Sequence, residues 1–295
     1  MNSGLNYNSI TEYYKKVFGG SVYKLALNIG ATCPNRDGNL GYGGCIYCSG
    51  AGSGDYAVDY DNLAVAKSKL KEKQCGRYIA YFQSYSNTYM PASKLENIVS
   101  KVLLDDEICG VSIATRPDCI SDEMLQYLDK LNKTTHLVVE LGLQSIHNKS
   151  LKLINRGHTF EDFVSCFNML KSHNIKVCVH IMDGLPNESA SDMLQTAQVL
   201  SELKPHSVKI HCVYVPKDTV LETMYNNGEY KPMEMQEYIE ILAKQLNILD
   251  KNIYIERLTG DGDRKTLVAP EWTLHKRYFL NCLNKYLAQQ KRAGD

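Results

Sequence analysis

SVYKLALNIGATCPNRDGNLGYGGCIYCSGAGSGDY, residues 21–56, opens as a strand and closes as a loop able to hold metal. Residues 21–29 are a short apolar, β-rich run. Directly beyond its carboxyl end, Cys33, Cys45 and Cys48 follow the spacing C-x11-C-x2-C. Cys45 and Cys48 are close enough to serve one metal site, and Cys33 returns from the other side of the loop. Glycines at 38, 41, 43, 44, 50, 52 and 54 let the backbone wrap a bulky inorganic core without Cβ clashes. Three thiolates without a nearby fourth ligand are informative, because structural zinc closes its shell with four. A cubane cluster held by three cysteines leaves one iron open to a substrate or cofactor. The spacing alone leaves two readings standing: such a cluster, or a zinc completed by a distant His or Cys.

Outward from this loop the chain repeats one pattern, an apolar run followed by a capped amphipathic helix. Strands are predicted at 21–29, 77–83, 110–114, 136–141, 175–182 and 206–213, and helices near 61–74, 93–105, 121–131, 145–172 (in two pieces) and 188–203. Ser121 and Thr159 are candidate N-caps. Six βα repeats imply a parallel sheet with helices outside, since parallel neighbours need crossover connections. A complete (β/α)8 barrel takes ~250 residues, and the rhythm here fades after 213. A helix near 234–249, a short strand at 252–256, an irregular stretch and a last helix from about 272 follow. The fold class is therefore α/β, an open (βα)6 partial TIM barrel over residues 1–215 with a C-terminal α/β extension over 216–295. Chemistry in such sheets gathers at the carboxyl ends of the strands.

Composition sets limits. The 295 residues carry 33 Lys plus Arg against 33 Asp plus Glu, so no global positive field marks a nucleic-acid binder. From 251 on, nine Lys or Arg stand against five Asp or Glu, with Trp272 and Tyr278 interleaved, which suits either RNA or the solvated face of a terminal helix. The first residues lack an apolar signal core, and no apolar run approaches the ~20 residues of a membrane span. A cytoplasmic protein without membrane contact is expected, where ten cysteines are reduced. The seven cysteines outside the loop have no cluster spacing and are assigned to packing.

The cysteine loop after the first strand of a partial barrel resembles the radical S-adenosylmethionine superfamily. The block CPNRDG…GGCIYC is similar to a bacterial single-domain group related to the catalytic domain of Elongator-type radical enzymes. FQSYSNTY (82–89), SIATRPDC (112–119), ELGLQS (140–145), NRGH (155–158), HIMDGLP (180–186), and ERLTGDG with VAPEW (256–272) extend the match over nearly the whole chain. The resemblance implies that Cys33, Cys45 and Cys48 hold a [4Fe–4S] cluster. Its open iron takes the amino and carboxylate groups of S-adenosylmethionine. Reductive cleavage then gives a 5′-deoxyadenosyl radical that removes hydrogen from a substrate.

Tyr47 is expected against the adenine. The Gly-Gly-Glu-like element common in the superfamily is absent, which leaves Gln83, Ser84 and Asn87 to supply polar contacts. Glu140 and Gln144 are candidates for the ribose, and Arg156 for the methionyl carboxylate. The alternative for the charged two is a local Glu140–Arg156 ion pair. Arg116, His180, Lys209 and His211 are candidate substrate contacts, weighed against polar groups that simply find hydrogen bonds.

By resemblance the substrate is tRNA, with carboxymethylaminomethyl-uridine or its 2-thio form at the wobble position converted to aminomethyl-uridine. An electron donor such as flavodoxin or ferredoxin is implied. The competing readings are the same radical chemistry on a small metabolite or protein, and a zinc-stapled, non-catalytic RNA-binding protein.

Overall fold

The computed structural model describes residues 7–50, 52, 54, 56–70, 76–260 and 262–294. Cys75 and the end of the 61–74 helix lie outside the described residues. In chain order the elements are β1 (Asn8–Ser9), α1 (Ile10–Phe18), β2 (Tyr23–Asn28), β3 (Val58–Asp59), α2 (Leu63–Ser68), β4 (Tyr78–Phe82), α3 (Ala92–Val102), β5 (Ile108–Thr115) and α4 (Asp122–Thr134). Then come β6 (His136–Gln144), α5 (Asn148–Leu153), α6 (Phe160–Ser172), β7 (Lys176–Asp183), α7 (Ala190–Leu203), β8 (Ser207–Cys212) and β9 (Val215–Pro216). The chain ends with α8 (Val220–Asn226), α9 (Met235–Ile248), β10 (Tyr254–Arg257), β11 (Leu267–Ala269) and α10 (Lys276–Gly294).

Local chemistry starts the helices where the sequence marks them. The Ser121 hydroxyl accepts from the Met124 N–H at α4. Thr159 and Asp162 form a reciprocal capping box at α6, and Ser189 with Asp192 repeats it at α7. Each such cap contributes about 1 kcal/mol.

One sheet runs in the order β1-β10-β8-β7-β6-β5-β4-β2-β3, and every pairing in it is parallel. It stays open between β1 and β3. Period-two alternation divides its residues. Leu25, Leu27, Phe82, Val111, Ile113, Val139, Leu141, Val179, Val208 and Ile210 join the apolar core, together with Leu95, Leu128, Phe167 and Leu200 of the surrounding helices. Lys24, Glu140, His180 and Lys209 take the opposite parity and meet inside the curve of the sheet.

The sheet does not stop at its sixth predicted strand. β10 pairs with β8, Tyr254 opposite Ser207, and β1 pairs with β10. α1 packs across the amino-terminal end of the strands, where the Tyr13 ring meets His206 at 4.7 Å and Phe18 meets His136 at 5.2 Å. At the other end, β9 and β11 form a small antiparallel pair. Val215 and Ala269 of that pair share an apolar cluster with Leu221 of α8, Leu151 of α5 and Ile46 of the cysteine loop. Among the described residues no helix is long and apolar enough to cross a membrane.

Candidate functional site

The cysteine loop is a short-range construction latched from outside. Arg36 and Asp37 donate their N–H groups to the Cys33 carbonyl at 2.8 and 3.2 Å, and Cys48 N–H bonds the Cys45 carbonyl at 2.9 Å. The Asn155 side chain donates to the Gly44 carbonyl at 2.8 Å, and the Asn35 amide returns a bond to the Asn155 carbonyl. The Arg36 guanidinium spans the Cys48 and Ser49 carbonyls at 2.8 and 2.6 Å. Gly44 has φ +80°, and a Cβ there would stand 2.8 Å from Arg36 Nε, so both the backbone and the space require glycine.

All three cysteines open onto a cavity of about 380 Å³ at the carboxyl ends of the strands. Arg36, Arg116 and Arg156 line it with them, and so does Arg257 of β10. Arg156 donates to the Gly142 carbonyl at 2.8 Å and to His158 Nε2 at 3.0 Å, and its Nη1 lies 3.8 Å from Cys45 Sγ. Burial, and then the Arg156 charge, lower the His158 pKa to about 3, so its neutral ring accepts from Arg156. Burial, followed by Cys45, pushes the Cys48 thiol up, and Arg36 pulls it back.

This donor set fits an iron–sulfur core better than zinc. Among the described residues one trio of ligand atoms falls within a 4.8 Å span, and it is Glu140, Cys178 and His180, not the loop cysteines. Zinc–sulfur bonds of ~2.3 Å keep ligand sulfurs within about 4.6 Å of one another, and the three loop sulfurs together exceed that span. The Arg36, Arg116 and Arg156 guanidiniums also suit the negative charge of thiolates around such a core. The Glu140 trio is itself unsuited to a cation, because two ammonium groups already hold its carboxylate.

That carboxylate organises the cavity floor. Glu140 Oε1 accepts from Lys24 Nζ at 2.6 Å and Ser112 Oγ at 2.5 Å, while Oε2 accepts from His180 Nε2 at 2.7 Å and from Lys209. Lys24 also reaches Glu256 Oε2 at 2.6 Å. Two carboxylates and two ammonium groups therefore alternate in a buried cluster. Burial alone would raise the Glu140 carboxyl, but Lys209 and Lys24 outweigh it and hold the pKa well below the usual range. Burial lowers Lys209 despite Glu140, so it is the more readily discharged lysine. Burial outweighs the Glu140 bond at His180 as well, favouring a neutral ring that donates from Nε2.

The structure brings together most of the sequence-predicted residues. Cys33, Cys45, Tyr47, Cys48, Gln83, Arg116, Glu140, Gln144, Arg156, His180, Lys209 and His211 all line the cavity. Gln144 does so from a left-handed backbone, φ +76°, at a register shift in β6. The buried Tyr47 hydroxyl has no hydrogen-bond partner, as a group facing an absent polar ligand would.

Several expectations are corrected. Ser84 and Asn87 are buried and do not line the cavity, and the Asn87 amide ties the Phe82 and Ala114 carbonyls at 2.9 Å each. Glu140 is ill placed as a ribose acceptor, because four side-chain donors already take its oxygens. The Glu140–Arg156 pair does not form: Glu140 is held by Lys24, Ser112, His180 and Lys209, and Arg156 by the Gly142 carbonyl and His158. Arg116 closes a two-point pair with Asp118 at 2.9 and 2.7 Å and also donates to the Arg156 carbonyl, which makes it a support of the site. Trp272 stacks on Tyr238 and Phe279 at 5.7 and 5.3 Å, so its ring is committed to packing, whereas Tyr278 is 62% exposed.

Sequence reasoning missed Lys24, Glu256, Arg257 and Arg36. Lys24 carried a signal, a lone charge inside an apolar strand. Glu256 and Arg257 stood within a recognised motif, but nothing local showed that β10 enters the sheet.

Comparison with known proteins agrees with this geometry. The model of the radical SAM superfamily matches residues 27–200, and that of the radical SAM C-terminal domain matches 205–289. YtqA of Bacillus subtilis is 39% identical over 292 residues, 97% of this chain and 91% of YtqA. The tRNA uridine(34) acetyltransferase of Methanocaldococcus jannaschii is 36% identical over 158 residues, 52% of this chain and 28% of that protein. The solved structure of archaeal Elp3 from Methanocaldococcus infernus superposes with a TM-score of 0.69 at 21% identity, covering 92% of this chain and 63% of Elp3. The family model spans more than half of the chain, and its three-cysteine cavity fits the family's cofactors. This chain therefore belongs to the radical SAM superfamily, as an Elongator-related enzyme that uses a [4Fe–4S] cluster and S-adenosylmethionine.

Proposed function

We propose that this enzyme modifies the wobble uridine of tRNA, converting a carboxymethylaminomethyl group to aminomethyl: the N–CH2 carbon is oxidised by two electrons, which S-adenosylmethionine takes up on becoming methionine and 5′-deoxyadenosine, and water then releases the two-carbon fragment as glyoxylate. The carrying observation is the 36% identity with a tRNA uridine(34) acetyltransferase over 158 residues, about half of this chain. The chain matches about a quarter of that relative, so acetyl transfer itself is not inferred.

When bound, the cluster and S-adenosylmethionine supply a carbon-centred radical able to take hydrogen from an unactivated C–H bond. Cys33, Cys45 and Cys48 would hold the cluster, and Arg36, Asn155 and Arg156 keep their loop in place. Tyr47 would pack on the adenine, with Gln83 and Gln144 reaching polar groups of S-adenosylmethionine from the cavity wall. Arg116 supports the wall from behind through Asp118. The Lys24–Glu140–Lys209–Glu256 cluster closes the floor against bulk water, which protects a radical from quenching.

Residues 1–215 form the catalytic part in this reading, and 216–295 turn a basic surface to the tRNA. Lys276, Arg277 and Tyr278 are exposed along the first turn of α10, where charge and one ring can meet phosphate and base. A flavodoxin- or ferredoxin-type protein delivers the electron.

Nucleoside analysis of tRNA from a strain lacking the gene tests this. Accumulation of carboxymethylaminomethyl-uridine with loss of its aminomethyl descendants is expected. Unchanged wobble uridines would remove the tRNA reading and direct attention to a metabolite or protein substrate.

A further inference from the structure

On the cavity floor, Glu140 decides which nitrogen of His180 carries the proton. Against burial, Lys209 and Lys24 hold the Glu140 carboxyl well below the usual range, so both its oxygens accept. His180 Nε2 lies 2.7 Å from Glu140 Oε2 and therefore donates to it. In the neutral ring the lone pair then sits on Nδ1. Burial, and next the Lys209 charge, lower the His180 pKa against the pull of Glu140, which keeps the ring neutral.

Nδ1 is open where Nε2 is closed. It is accessible to solvent and, among the described residues, has no hydrogen-bond partner. The side chain is only 17% exposed and lines the cavity, so the face it exposes is the cavity face. The ring's position is set from three strands: His180 on β7 stands opposite Gly142 of β6 and Lys209 of β8. Its polar neighbours are committed. Lys24 binds Glu140 and Glu256 at 2.6 Å each, Lys209 binds Glu140, and His211, with its ring 5.5 Å away, has Nε2 buried. A carboxylate behind one imidazole nitrogen, with the other nitrogen open to a cavity, is the arrangement of a general base.

We propose that His180, through Nδ1, is the general base of the step in which water releases the two-carbon fragment. The assignment rests on the wobble-uridine reading, in which oxidation leaves a protonated C=N bond to the carbon bearing the carboxylate. The water oxygen bonds to that carbon, the C=N pair moves to nitrogen, and one water proton passes to His180 Nδ1. That proton then returns from Nδ1 to the nitrogen as the C–N bond breaks, with its electron pair staying on nitrogen. The hydroxyl proton follows, so the amine leaves as ammonium and the fragment as glyoxylate. No electron enters or leaves in this step, and His180 ends neutral, as it began.

The test is a single turnover of reduced, anaerobic holoenzyme with S-adenosylmethionine and a synthetic anticodon stem–loop bearing carboxymethylaminomethyl-uridine, quenched into sodium cyanoborodeuteride. 5′-Deoxyadenosine counts oxidations, aminomethyl-uridine counts completed hydrolyses, and monodeuterated carboxymethylaminomethyl-uridine counts C=N groups still waiting for water. Wild type is expected to form amine in step with 5′-deoxyadenosine. His180→Gln keeps a donor for Glu140 but has no basic nitrogen. It should slow the amine relative to 5′-deoxyadenosine about a hundredfold, within the range of general-base catalysis, with deuterated substrate in its place. His180→Ala should do the same, and added imidazole should restore part of the rate, which a folding defect would not allow.

Amine that keeps pace with 5′-deoxyadenosine in both variants overturns the assignment and leaves the tRNA reading intact. A matched fall of both products overturns it by making His180 a binding residue, and loss of iron from both variants does so by making it part of the frame. Wild type that forms neither amine nor deuterated substrate removes the base together with the tRNA reading, and the nucleoside analysis then decides the latter on its own.

Discussion

Lys24 Nζ on β2 lies 2.6 Å from Glu140 Oε1 on β6, a bond that crosses the interior of the curved sheet between strands three places apart in its order. Both side chains are largely withdrawn from water, so each depends on the other. Glu140→Gln would leave two buried ammonium groups facing one carboxylate. A loss of about 3–5 kcal/mol is expected, the cost of breaking a buried pair from one side. Anaerobic denaturant unfolding measures it. Lys24→Met combined with Glu140→Leu should cost clearly less than the two single changes summed, and additive losses would show that the pair is not coupled.

Cluster retention should follow the latch as well as the ligands. Replacing Cys33, Cys45 or Cys48 by Ala is expected to abolish the broad visible absorption and the ~4 irons per chain of a cubane cluster. Cys109→Ala and Cys282→Ala should leave both in place, since neither residue lines the cavity. Iron and sulfide assays after anaerobic reconstitution decide between these outcomes.

Gly142 is a close-approach position. A Cβ there would fall 2.5 Å from Arg156 Nη2, displacing the guanidinium that reaches Cys45. Gly142→Ala should therefore lower iron retention to less than about half of the cubane complement. Full iron retention would show that Arg156 does not stabilise the loop.

Asp183 gives a pH prediction of definite sign. Its Oδ1 accepts from Gln245 at 2.8 Å, Oδ2 is buried without a partner, and burial raises the carboxyl to about 7. The folded state thus keeps a proton that the unfolded chain loses near pH 4. Stability from this group is full below about pH 4 and falls as pH rises toward 7. Asp183→Asn should be more stable than wild type at pH 8, on the order of 2–4 kcal/mol. Equal stability of the two proteins at pH 8 would place a charge-stabilising partner at Oδ2.

His136 and His206 act with the opposite sign at the other end of the sheet. Burial lowers both to about 4, and α1 packs its aromatic rings on them. The unfolded chain takes up these protons below pH 6.5, so the stability they confer is present above that value and is lost as pH falls toward 4. His136→Phe should flatten the acid limb of a thermal-unfolding profile measured between pH 4 and 6.5. An unchanged acid limb would rule out this cap as its source.

Much of the architecture was legible because its signals are local. Six strands and the helices between them show apolar periods several residues long, and Ser121 and Thr159 cap the helices they precede. β1 and β3 were not legible, since a two-residue strand has no period to read. The short strand before Arg257 was visible as a strand, but its place beside β8 depends on register with a segment some 45 residues away. Trp272 read as an exposed aromatic among charges, and only packing against Tyr238 and Phe279 showed otherwise.

By itself the sequence determined the candidate ligand set and its setting. Three cysteines at C-x11-C-x2-C, glycines around them and a strand before them are covalent and local facts. Tertiary structure alone decided what the rest of the cavity is made of. Lys24 meets Glu140 across 116 residues and Glu256 across 232, and no pattern within one segment encodes such a meeting. The physical reason is that a buried charge is stable only beside its counter-charge, and which charges become neighbours is fixed by the order and register of parallel strands.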